Sequence, residues 1–73
     1  MMLIANQQEL QKRREKAGYS MNALSVKAGL SVASVLRIEK GITKKVGFLR
    51  AREIAKALDC EVEDIFTPIS KGA

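Results

Sequence analysis

Histidine and tryptophan are absent from this 73-residue chain, and cysteine and proline occur once each. A lone Cys60 excludes an intramolecular disulfide framework, and without histidine the usual zinc donor sets cannot be assembled. No metal and no cofactor are expected. An enzyme is also argued against. No nucleophile has a histidine base, no glycine-rich phosphate loop is present, and so short a chain buries only about 60% of its unfolded surface, too little for a deep pocket. No apolar run approaches the ~18 residues of a membrane span. The leading MMLIA is too short for a secretory signal and lacks its basic segment. The expectation is a single cytoplasmic domain with no membrane and no small-molecule ligand.

What is present is positive charge, unevenly spread. Residues 1–56 hold 12 Lys and Arg against 4 Asp and Glu, so +8, whereas residues 57–73 hold 1 against 4, so −3, which gives the overall +5. A basic body of this kind suits a polyanionic partner, nucleic acid first.

The chain divides into helices by their end signals. Asn6 and Glu9 make a capping box for a first helix, with Ala5 and Leu10 at the staple positions and Gly18 at the end. Ser20 caps a second helix over residues 21–28, whose inward positions are Met21, Leu24, Ser25 and Ala28. The small residue at 25 allows close crossing by a neighbour. Gly29 ends this helix and Ser31 caps a third, so the connection is a sharp corner. Val35 and Ile38 face inward from the third helix. Ala33 and Arg37, one turn apart, share its outer face, and Lys40 and Gly41 close it. Residues 42–47 form a loop carrying Lys44 and Lys45. Phe48, Ala51, Ile54, Ala55 and Leu58 line one face of a fourth helix. Residues 61–66 form a short fifth, with Val62, Ile65 and Phe66 inward and acidic residues in its first turn. The leading residues 1–5 read as a tail that either frays or covers an apolar edge.

Leu24, Ser25, Ala28, Gly29, Val35 and Ile38 in this order, with RIEKG at 37–41, EIAKAL at 53–58 and VEDIF at 62–66, resemble the lambda-repressor-like helix-turn-helix family of phage repressors, Cro proteins and related regulators. The likeness covers about residues 10–66. It implies an all-α, compact five-helix domain over residues 6–66, its helix-turn-helix at about 20–40, between an N-terminal tail (1–5) and a C-terminal tail (67–73). It also implies a repressor that binds double-stranded operator DNA as a homodimer.

By position in that family, the third helix enters the major groove and Val32, Ala33, Ser34 and Arg37 face base edges. The side chains qualify this. Arg37 can donate a bidentate pair to guanine. Val32 and Ala33 can only touch thymine methyls, or simply permit close approach, so readout is concentrated on Arg37 and on DNA shape. Phosphate contacts fall at Met21 and Asn22, where the amino end of the second helix points at the backbone, and at Thr43, Lys44 and Lys45 in the following loop. Many relatives carry glutamine at the position of Met21, and Asn22 is the nearest replacement here. Arg14 and Glu39 occupy the positions of a structural ion pair, partly buried, that ties the first helix to the end of the third. The dimer contact implied is the last helix with residues 67–69, aided by MMLIA. The alternative use of the fold is an antitoxin, a restriction controller or a protein-interaction module whose main target is a protein.

Overall fold

The computed structural model describes residues 1–69. Along the chain run β1 (Met2–Ala5), α1 (Gln7–Lys16), α2 (Met21–Lys27), α3 (Ser34–Glu39), β2 (Val46–Gly47), α4 (Phe48–Ala57), α5 (Val62–Ile65) and β3 (Phe66–Pro68). The five helices fall in the expected order. The all-α expectation needs correction, because a three-stranded antiparallel sheet of order β2-β1-β3 accompanies them.

The sheet converts both expected tails into structure. Residues 1–5 contain the central strand: Leu3 is buried, whereas Met2 and Ile4 on either side are exposed, the period-two alternation of a strand with one face on a core. Leu3 pairs with Val46 on one side and Pro68 on the other, while Ala5 pairs with Phe66. Two further bonds extend the pairing, from the Phe48 amide to the Met1 carbonyl (3.1 Å) and from the Ile69 amide to the Met2 carbonyl (3.2 Å). Phe66, expected to end the last helix, is instead the first residue of β3, and Thr67 and Pro68 continue it. Val46, expected in an open loop, is buried in β2. Residues 70–73 of the expected C-terminal tail lie outside the described residues.

One core serves all these elements. Leu10, Leu24, Val35, Ile38, Ile54 and Ile65 from the helices meet Leu3, Val46 and Phe66 from the sheet. Phe48 departs from expectation: it is 39% exposed, and the buried face of α4 begins only at Ala51. The first turn of α4 is held at the sheet edge by the Phe48–Met1 bond rather than over the core.

The helix ends follow one rule. After α2, Gly29 donates to the Val26 carbonyl and Leu30 to the Ser25 carbonyl (both 2.9 Å), a Schellman pair. The same two bonds recur after α1, α3 and α4. The residue that must turn left-handed is Gly18, Gly29 and Gly41 in the first three cases and Asp59 (φ 56°) in the last. Asp tolerates that region better than most side chains. At its other end α1 keeps only half of the predicted capping box. Asn6 Oδ1 accepts the Glu9 amide at 3.1 Å, but Glu9 pairs with Arg13 at 2.8 Å. The Asn6 amide donates instead to the Ile65 carbonyl (2.8 Å), joining the start of α1 to the end of α5.

Candidate nucleic-acid interface

Two helices and the corner between them carry the candidate site. Ser20 caps α2, its Oγ accepting the Ala23 amide at 3.0 Å. α3 starts later than the sequence suggests. Its N-cap position is Ala33, with no side-chain cap, and the Ser31 hydroxyl meets the Ser34 hydroxyl at 2.9 Å rather than an α3 amide. One free amide of the first turn, that of Val35, is satisfied from α2: it donates to Ser25 Oγ at 3.0 Å, and Ser25 in turn donates to the Met21 carbonyl at 2.9 Å. Ser25 is wholly buried. Smallness at position 25 was legible in the sequence; the hydroxyl's cross-helix bond was not.

A second brace holds the far end of α3. Arg14 Nε donates to Glu39 Oε2 at 2.6 Å and Nη2 to Oε1 at 3.1 Å, while Nη1 donates to the Tyr19 carbonyl at 2.8 Å. The two side chains are 9% and 6% exposed. The hydrogen bonds it donates to Glu39 hold the Arg14 guanidinium above its usual value, against the opposing effect of burial. The carboxylate is thus gripped in a bidentate fork with a fixed orientation.

These braces determine where the sequence-predicted residues fall. Val32 and Ala33 lie in the turn before α3, Val32 exposed and Ala33 half-buried. Ser34 opens the helix and Arg37 is exposed in its last turn. After α3 the chain folds back, with the amides of Ile42 and Thr43 both donating to the Arg37 carbonyl (2.9 and 3.1 Å). Ser34, Arg37 and Thr43 thereby surround one hollow of about 130 Å³.

Lys44 and Lys45 diverge from that group. Lys44 borders a hollow with Ile4, Gln7 and Gly41, and Lys45 borders another with Met1 and Met2. Asn22 is exposed in the first turn of α2. Met21 is half-buried against the core and its side chain carries no donor, so at this end the first-turn amides and the Asn22 side chain are the groups with hydrogens to offer a phosphate. Sequence reasoning missed Arg50, which reaches the same hollow as Arg37 from α4. Helical spacing sets Arg50 apart from the Ala51, Ile54 and Ala55 face of its own helix but does not say which neighbour it meets.

A short corner between two helices, locked by a buried hydroxyl and followed by a basic segment, defines a helix-turn-helix domain. The chain belongs to the lambda-repressor-like helix-turn-helix family, whose model, described as "Helix-turn-helix", matches residues 10–65. No curated protein matches the sequence. Among solved structures, the biofilm master regulator SinR in complex with DNA is similar at TM-score 0.74 and 24% identity, over 80% of this chain and 95% of that one. The restriction-modification controller protein C.AhdI from Aeromonas hydrophila is similar at TM-score 0.73 and 29% identity, over 80% of this chain and 86% of its own. Both likenesses concern the same fold.

Proposed function

We propose that this domain is a transcriptional regulator that binds double-stranded operator DNA as a homodimer, in the manner of a phage-type repressor. In this reading α3 lies in the major groove with Val32, Ala33, Ser34 and Arg37 at base edges, and Asn22, Thr43, Lys44 and Lys45 follow the phosphates. The observation that carries it is the grouping of Ser34, Arg37, Thr43 and Arg50 around one hollow. Cations and hydroxyls collected on one side of a helix-turn-helix fit a duplex backbone and its base edges. The SinR structure, solved with DNA, makes duplex DNA the ligand class to test first.

A second copy is proposed to dock on the exposed apolar cluster of Met1, Met2, Phe48 and Leu49. Two facts favour this place. Residues 67–69 and the leading residues, each expected at a dimer contact, lie in or beside one sheet. Arg50 borders both the apolar hollow and the one under Arg37, so a symmetric contact here would bring two such surfaces alongside one duplex. Half-sites would then be spaced by about one helical turn, roughly 34 Å.

Selection of bound sequences from a random duplex pool, followed by binding at increasing salt, tests the reading. A palindromic consensus and a log–log salt slope of about −0.9 per neutralised phosphate are expected. Salt-insensitive binding with no consensus would refute it. The likeness to C.AhdI favours a restriction controller as the second reading of the same site. That reading predicts that the selected sequence lies upstream of restriction-modification genes.

A further inference from the structure

We propose that the hollow between α3 and α4 is a binding pocket for a single phosphodiester of the DNA backbone, with Arg50 as its principal cation. The proposal rests on the reading that the domain binds duplex DNA. The pocket is built from three separate segments: Ser31 and Ser34 at the start of α3, Arg37 near its end with Thr43 beyond it, and Arg50 from the second residue after the start of α4. Leu30, Ile38 and Val46 contribute apolar walls, and the last two are buried.

The charge at this pocket is uncompensated. Arg13 and Arg14 are each neutralised by a carboxylate, Glu9 and Glu39 respectively. Arg37 and Arg50 have no such ion pair among the described residues, yet they border the same small hollow. Two like charges beside an apolar wall repel more strongly than in open water, and an anion held by Arg50 relieves that repulsion. A guanidinium also matches phosphate oxygens with two parallel donors. The hydroxyls add to this. Of the two hydrogens on Ser31 and Ser34, one is used between them, which leaves the other for a ligand.

A volume of about 130 Å³ leaves room for a tetrahedral oxyanion between the hydroxyls and the guanidinium. Arg50 also stands on α4 rather than on the groove-facing helix, so it meets the backbone that flanks the groove. The two arginines then divide the work: Arg37 reads a base and Arg50 holds the neighbouring phosphate.

Binding of wild type, Arg50→Ala and Arg50→Lys to a selected operator and to a random duplex, over a range of salt, tests this. Arg50→Ala is expected to weaken both duplexes by the same several-fold factor and to flatten the salt slope by about 0.9. Arg50→Lys should keep the slope and recover only part of the affinity. A scan of neutral methylphosphonate substitutions through the operator should contain one position at which Arg50→Ala causes no further loss. Inorganic phosphate at matched ionic strength should compete only weakly; strong competition would show a site for the free anion and overturn the proposal. Unchanged affinity and slope in Arg50→Ala, or a loss confined to operator DNA, would also overturn it while leaving DNA binding intact. If wild type bound neither duplex, the underlying reading would fail and this one with it. Arg50 is exposed, so the variants should melt as wild type does; Arg50→Gln, which keeps the aliphatic stem, replaces Arg50→Ala if that variant does not.

Discussion

The Val35 amide donates to Ser25 Oγ at 3.0 Å in the buried corner between α2 and α3. This bond joins an otherwise free donor of one helix to a side chain of the other, so the crossing of the two helices is held by hydrogen bonding as well as by packing. Ser25→Ala removes the acceptor and leaves the amide unpaired, a loss of about 1–3 kcal/mol. Urea denaturation should show a lower midpoint with an unchanged slope. A change below about 0.5 kcal/mol, the range of an ordinary surface substitution, would mean that the bond contributes little.

Arg14 and Glu39 should behave as a partly buried pair. Breaking it from one side, by Arg14→Met or Glu39→Leu, is expected to cost about 3–5 kcal/mol because it strands the partner's polar groups. The double variant Arg14→Met, Glu39→Leu should recover much of that loss. Simple addition of the two single effects in the double-mutant cycle would refute direct coupling.

Leu3 distinguishes a strand from a tail. It is 1% exposed, and Leu3→Ala should destabilise the domain by about 2–5 kcal/mol. Removal of residues 1–5 should lower the melting temperature further, because β1 is the strand that both β2 and β3 pair with. Melting at the wild-type temperature would restore the tail.

For Arg37→Ala, the proposed base contact predicts a loss of about 1–3 kcal/mol on the operator with relaxed preference at one base step. Equal losses on operator and random duplex would assign Arg37 to phosphate instead.

Burial pushes the Cys60 thiol up, and the opposing pull of Arg13 is smaller. The folded protein should therefore react with iodoacetamide more slowly than an unfolded control at mildly alkaline pH. For stability the sign follows from the raised value. The contribution is intact below the unfolded thiol range and is lost as pH rises through the folded one. Cys60→Ser should remove this alkaline loss; an unchanged profile would place its cause elsewhere.

Much of the fold was legible in local sequence. Gly18, Gly29 and Gly41 mark three helix ends because a left-handed residue favours glycine over short range. Leu24, Val35, Ile38 and Ile54 recur at helical spacing and are buried as expected. Asn6 and Ser20 cap the helices they precede. The pairing of Arg14 with Glu39 was legible through the family likeness.

Tertiary structure alone decided the rest. The segment MLIA is apolar throughout, so no alternation marks it as a strand; four residues make a strand only when partners supply the hydrogen bonds, and its partners lie at residues 46–47 and 66–68. Phe66 turns extended and enters the strand register opposite Ala5, while its amide still donates to the Val62 carbonyl of α5. Arg50 joins Arg37 only because the chain after α3 folds back and sets α4 beside it. Capping, turns and helical periodicity act over a few residues and are written in order along the chain. Strand pairing and the meeting of side chains from separate helices depend on contacts between distant residues, which no local pattern records.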